Sequence, residues 1–146
     1  MQQPILSVVM PVYNATAFLQ EAVQSVLASG VEAVELLCVN DGSRDGSGEM
    51  LDALAAADSR VRVWHQANAG ASAARNAALQ HVRGQYVTFV DSDDVVSPTY
   101  LKTLVETAER TGADCVVTGW TRFSGAEDEH PHPIAAAEPR GVEAFG

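Results

Sequence analysis

Three acids close an apolar run in Tyr86-Val87-Thr88-Phe89-Val90-Asp91-Ser92-Asp93-Asp94. β-Branched and aromatic residues favour strands, and this run reads as a buried one. The segment therefore predicts a strand that ends by presenting Asp91, Asp93 and Asp94 at its carboxyl edge. Asp91 and Asp93 are two apart, on one side of a regular strand, and at a strand end they can converge on a hard cation. Carboxylate oxygens suit Mg²⁺ or Mn²⁺, and Mg²⁺ is commonly held by one or two carboxylates together with substrate phosphates. Acids packed together without compensation repel one another, which favours a bound ion or partner. A solvated acidic turn leading into a helix accounts for the same residues, and the tetrad alone does not choose between the two.

The chain has 146 residues, 47% of them hydrophobic and 19% charged, with a formal net charge of −10. That length and composition predict one globular domain with a real core. The negative charge argues against general affinity for nucleic acids or anionic membranes, which need basic patches. It leaves room for a nucleotide, whose phosphates a local metal and backbone N–H groups can hold. Cys38 and Cys115 both sit in apolar runs, and the reading is two buried free thiols in a reducing cytosol. Met1-Gln2-Gln3-Pro4 lacks the charged start of a secretory leader, and no apolar stretch has the length of a membrane span.

Strand and helix patterns alternate along the chain. Strands are expected at Ile5–Val12, Val34–Val39, Val61–Trp64, Gln85–Val90 and Cys115–Trp120. Between them, helices are expected over Thr16–Ser29, Ser47–Ala57, Ala71–Val82 and Ser97–Thr111. The first helix carries Phe18, Leu19, Ala22, Val23, Val26 and Leu27 on one face. The second buries Met50, Leu51 and Leu54. Ser97-Pro98 is an N-cap followed by proline at the first helical position, and Gly112 ends that helix. After Arg122 the pattern dissolves into a loop-like composition.

Such alternation implies right-handed parallel crossovers with helices on both faces of a sheet. Sheets of this kind bind ligands beyond the carboxyl ends of their strands, at the topological switch point. Polar and glycine clusters fall at those ends: Tyr13-Asn14, Asp41-Gly42-Ser43, Asn68-Ala69-Gly70 and Asp91–Asp94. Four of them read as the walls of one site.

Together with their flanks, these blocks are Val9-Met10-Pro11-Val12-Tyr13-Asn14, Val39-Asn40-Asp41-Gly42-Ser43-Arg44-Asp45, Asn68-Ala69-Gly70-Ala71-Ser72-Ala73-Ala74-Arg75-Asn76 and Asp91-Ser92-Asp93-Asp94. In order and spacing they resemble the inverting family 2 glycosyltransferases of the GT-A fold. The resemblance covers about residues 4 to 122. It implies a Rossmann-like three-layer α/β/α sandwich with a mostly parallel sheet, a nucleotide-sugar donor that is most often a UDP-sugar, and Mn²⁺ or Mg²⁺. It implies that Pro11, Val12 and Tyr13 line the base and ribose pocket, with Asn14 beside them. Asp41 resembles the aspartate that accepts a hydrogen bond from the uracil imide; an acceptor there favours uracil over cytosine, whose N3 carries no proton. Asn68 and Gly70 shape the loop, and Gly70 permits close backbone approach. Arg75 either binds phosphate or braces the acidic loop. Asp93 is the expected principal metal ligand, Asp91 serves the ribose or the metal, and Ser92 lies between them.

The family's catalytic base is an aspartate in a later acidic motif on the acceptor side, and this sequence does not hold it there. Glu127-Asp128-Glu129 reads as a solvated loop, and proline beside each histidine in His130-Pro131-His132-Pro133 disfavours a metal site. Residues 1–122 are thus expected to form the nucleotide-sugar-binding domain. Residues 123–146 are expected to be a loop or the start of an acceptor-binding part. The acceptor, a glycan, a lipid-linked or another hydroxyl compound, is not legible, and neither is the oligomeric state. The expected location is cytoplasmic, with attachment to the inner face of a membrane left open. A nucleotide-sugar-binding module without catalysis shares every donor motif. A dinucleotide-binding domain lacks its Gly-x-Gly-x-x-Gly set, because the first strand leads into Tyr13-Asn14. A calcium loop lacks the later glycine and glutamate, and a receiver-type phosphorelay domain would want a paired acid after the first strand.

Overall fold

The computed structural model describes residues 3–118. Its elements run β1 (Leu6–Val12), α1 (Leu19–Leu27), β2 (Val34–Asp41), α2 (Ser47–Ala57), β3 (Val61–Gln66), α3 (Ala71–Leu79), β4 (Tyr86–Phe89) and α4 (Tyr100–Thr111). The four strands form one parallel sheet in the order β3-β2-β1-β4. Every residue of β1 and β2 is buried, as expected of inner parallel strands covered on both faces. The chain divides into two compact units, Met1–Val105 and Glu106–Gly146.

In the first unit, alternate residues of the strands face opposite layers. Val8, Met10, Leu36 and Cys38 pack with Leu19, Ala22, Val23 and Val26 of α1, Leu51 of α2, and Leu101 and Val105 of α4. Val9, Leu37 and Val39 pack with Ala74 and Ala78 of α3. This is the expected α/β/α sandwich. The sheet order explains which helix takes which face. The steps from β1 to β2 to β3 move one way, and the step to β4 returns past β1, so right-handed crossovers put α3 on the far face. The reversal creates a switch point between the carboxyl ends of β1 and β4.

A buried ionic network ties the opposite, amino edge of the sheet. Glu35 is 2% exposed. Its Oε1 accepts from the Ser7 hydroxyl at 2.6 Å and the Arg83 N–H at 2.7 Å. Its Oε2 accepts from Arg62 Nη1 at 3.0 Å and Arg83 Nε at 2.9 Å. Burial pushes this carboxyl up, but the Ser7, Arg83 and Arg62 donors outweigh burial and hold it below the ordinary glutamate value.

Several expectations need correction. Helix α4 begins at Tyr100, so Ser97 and Pro98 precede it and are not its cap and first residue. Strand β4 is only half-buried, because it is the edge strand of the sheet beside β1 alone. Residues 16–18 form turns and α1 begins only at Leu19, while the Thr16 N–H and hydroxyl donate to the Asp45 carboxylate. Phe18 therefore lies outside the helix and is 55% exposed. No strand occupies 115–118, because β-branched residues make a strand only with a neighbour to pair with, and none pairs with this segment among the described residues. Cys115 is accordingly exposed, whereas Cys38 is buried and its thiol is pushed up to about 12 by desolvation. Gly119, Trp120, Glu127–Glu129 and His130–Pro133 lie outside the described residues. In the second unit the end of α4 is closed by the Gly112 N–H, which donates to the Ala108 carbonyl at 2.8 Å.

Candidate functional site

At the switch point lies a cleft of about 300 Å³. It is lined by Pro11, Val12 and Tyr13 from the end of β1, Asp41 from the end of β2, and Asn68, Gly70, Ala71 and Arg75 from the β3–α3 loop and α3. Asp91, Ser92 and Asp93 after β4 complete it. Every candidate residue but Asn14 lines this cleft, and the lining adds only Ala71. Tyr13 is 51% exposed, so its ring offers an open face to a ligand.

Asp41 is 3% exposed and is consumed largely by the fold. Its Oδ1 accepts from Gln66 Nε2 at 2.7 Å and the Ala69 N–H at 2.8 Å, and its Oδ2 from the Gly70 N–H at 2.8 Å. Asn68 Nδ2 donates to the Asp41 backbone carbonyl at 3.0 Å. Burial raises the Asp41 carboxyl, yet the Gln66, Ala69 and Gly70 donors hold it below the ordinary aspartate value. The carboxylate thus sits against the N-terminus of α3, whose dipole favours an anion. A carboxylate has about four lone-pair positions, so roughly one remains for a ligand. Gly70 has a φ of +94° with nothing within 4 Å of where a Cβ would stand. The positive φ is what selects glycine there, and the cleft beside it stays open.

Gly42 is more constrained. At φ +74°, an added Cβ would stand 2.7 Å from the Asn68 backbone N. Gly42→Ala is expected to destabilise the chain by about 2 kcal/mol through left-handed strain and displacement of the Asn68 loop. Urea unfolding of the variant beside the parent checks this, and equal stability would contradict it.

The acidic loop is a turn closed by the Asp94 N–H, which donates to the Asp91 carbonyl at 3.1 Å. Arg75 Nη2 pairs with Asp91 Oδ1 at 2.6 Å, so in this structure Arg75 braces the acidic loop. Asp94 is held above the ordinary aspartate value by burial first, then by the charges of Asp93 and Asp91. The part of that rise due to Asp93 and Asp91 marks an electronegative corner. Among the described residues no group of three or more His, Cys, Asp or Glu side chains is arranged to hold a metal. The donor set fits a hard cation only as a half-site: two carboxylates, Asp91 and Asp93, with the remaining positions left to water and ligand oxygens.

Asn14 does another job. It adopts a φ of +47°; its Oδ1 accepts from the Arg44 N–H at 2.9 Å and its own N–H donates to Ser43 Oγ at 3.1 Å. Nearby, Asp45 accepts from the Ser47 hydroxyl at 2.6 Å, the Ser47 N–H and both Thr16 donors. Those bonds, led by the Ser47 hydroxyl, pull its carboxyl down to about 2. Asn14, Asp45 and Ser47 therefore lace the loop after β1 to the loop after β2. Sequence reasoning missed Asp45 as a brace, although an aspartate two residues before a helix start is the known signal of a local cap.

Comparisons with known proteins agree on one family. The family model for glycosyl transferase family 2 matches residues 7–144. The uncharacterized glycosyltransferase EpsJ of Bacillus subtilis is 41% identical over 121 residues, covering 83% of this chain and 35% of that protein. The glycosyltransferase GlyG of Streptococcus pneumoniae is 38% identical over 124 residues, covering 84% and 41%. The crystal structure of S. aureus TarS 1–349 in complex with UDP is similar with a TM-score of 0.69 at 26% identity, over 75% of this chain and 33% of that one. The chain thus spans roughly a third to two fifths of the length of these relatives.

Proposed function

Because the chain belongs to glycosyl transferase family 2, we propose that its cleft binds a nucleotide-sugar donor, a UDP-sugar, with Mn²⁺ or Mg²⁺. The proposed reaction passes that sugar to an acceptor hydroxyl with inversion. The observation that carries this reading is the convergence of four separate strand-end clusters on one cleft at the switch point. The similarity to TarS, whose structure holds UDP, supports the nucleotide.

Within this reading each residue has a physical role. Pro11, Val12 and Tyr13 give the base and ribose an apolar wall. Asp41 offers its remaining acceptor position to the uracil N3–H. Asn68 and Gly70 keep the cleft floor open, and Asn14 holds the neighbouring loops in register. Asp93 and Asp91 supply carboxylate oxygens to the cation, and Ser92 sets their spacing. Arg75 holds Asp91 until the diphosphate arrives, when its guanidinium can also meet phosphate. A divalent cation bound there supplies Lewis-acid stabilisation of the departing nucleoside diphosphate. The base that deprotonates the acceptor is not assigned to any described residue. Among the described residues no helix is long and apolar enough to cross a membrane.

Base choice tests the donor pocket. In competition experiments with Mn²⁺ present, UDP is expected to bind about tenfold tighter than CDP. Cytosine N3 would bring a lone pair against Asp41, and a hydrogen bond to a charged acceptor carries a factor of that order. Equal affinities for the two nucleotides would remove Asp41 from base recognition.

A further inference from the structure

A chain of side chains behind the cleft joins three elements. Asn40, 7% exposed, precedes Asp41 at the end of β2. Its Oδ1 accepts from the Ser43 N–H at 3.0 Å, and its Nδ2 lies 3.0 Å from His65 Nδ1 on β3. His65 Nε2 lies 2.9 Å from Asp52 Oδ1 on α2. Gly48 leaves room for the amide: a Cβ there would stand 2.8 Å from Asn40 Nδ2.

One backbone donor fixes every proton in this chain. The Ser43 N–H can only donate, so the oxygen of the Asn40 amide must face it. The amide NH₂ then faces His65, so Nδ1 must be the unprotonated acceptor. The ring proton is left on Nε2, where it donates to Asp52. We propose that His65, as this neutral tautomer, is a positioning residue for the donor pocket: it orients the Asn40 amide, and through it the Asp41–Ser43 turn, whose Asp41 lines the cleft. The proposal rests on the nucleotide reading above.

Protonation of the ring breaks the arrangement. An imidazolium keeps its Asp52 contact but sets an Nδ1–H against the Asn40 NH₂. If the amide flips to accept that proton, its NH₂ faces the Ser43 N–H instead. Either way one hydrogen bond is lost and the turn loosens. Asp52 on α2 faces one ring nitrogen and Asn40 on β2 the other. Asp41 does not enter the exchange, because its carboxylate is engaged by Gln66, Ala69 and Gly70. Donor binding is therefore expected to depend on the charge state of this ring through the turn itself.

Two measurements on the chain test this. Long-range ¹H–¹⁵N spectra of the unmodified chain should show the Nε2–H tautomer of His65. The exchange protection factor of the Ser43 amide should fall about fivefold as the ring titrates, the worth of one ordinary hydrogen bond. An Nδ1–H tautomer, or Ser43 protection indifferent to the ring, overturns the proposal. In the second measurement, UDP affinity with Mn²⁺ is compared at pH 8 and pH 5.5 in the parent and in His65→Gln, which stays neutral. The loss on acidification should be about fivefold greater in the parent, and equal losses overturn the linkage. Failure of UDP to bind at either pH would reject the nucleotide reading, while the tautomer and Ser43 protection would still decide the positioning role.

Discussion

Replacing Asp93 by alanine is expected to lower UDP affinity in the presence of Mn²⁺ by about 100-fold or more, since even outer partners of a metal site are worth 10- to 100-fold. The proposed half-site has two protein carboxylates, Asp91 and Asp93, and Asp91 is already paired with Arg75 at 2.6 Å. Removal of Asp93 leaves the cation one carboxylate, whose Oδ1 a guanidinium also claims. The same substitution should leave folding intact. Asp93 is exposed and its charge contributes to holding Asp94 above the ordinary aspartate value, so its loss relieves repulsion. Titration calorimetry beside a thermal melt separates these effects. An Asp93→Ala chain that binds UDP and Mn²⁺ as well as the parent would remove Asp93 from the site.

The second large effect lies at the other edge of the sheet. Glu35→Ala is expected to cost about 3 kcal/mol of stability, the lower end for breaking a buried ion pair. The lower end applies because Arg62 and Arg83, with side chains 28% and 52% exposed, can regain water once the carboxylate is gone. Ser7 and the Arg83 N–H lose their shared acceptor as well. The pH dependence gives an independent check. Glu35 is held below its ordinary value of 4.5 in the folded chain, so the unfolded chain takes up its proton first as pH falls. The stabilisation is complete above pH 4.5 and drains away below it. Denaturant unfolding at pH 7 and pH 3.5 should show a smaller loss on acidification in Glu35→Ala than in the parent. Identical losses would mean that the network is not linked to protons.

Much of the site was legible because its chemistry sits at strand ends. Asp41-Gly42-Ser43 and Asp91–Asp94 each interrupt an apolar run, and the alternation of elements dictates that such interruptions gather at one edge. What the sequence could not display are partnerships set by sheet order. The Asn40–His65 bond requires β2 beside β3, in the register that opposes those two residues. The Glu35 network requires β1, β2 and β3 to start side by side, with Arg83 entering β4 close by. The dual use of Asp41 escaped for the same reason, since its donors Gln66, Ala69 and Gly70 lie 25 to 29 residues away. Local propensity misled at two points. Thr16–Phe18 has a helical pattern but forms turns, with the Thr16 donors on Asp45 and the Phe18 N–H on the Ala15 carbonyl. Cys115–Thr118 has a strand composition but no neighbour among the described residues.

In the proposed donor site Asp91 and Asp93 leave most cation positions open, so cation and nucleotide are expected to complete one another. Titration of UDP into the chain with and without Mn²⁺ is the measurement that decides it. The expected result is tight binding only with the metal, and, by linkage, Mn²⁺ affinity raised by UDP through the same factor. UDP affinity that ignores Mn²⁺, in a chain that melts cooperatively, would contradict the metal-bridged donor site.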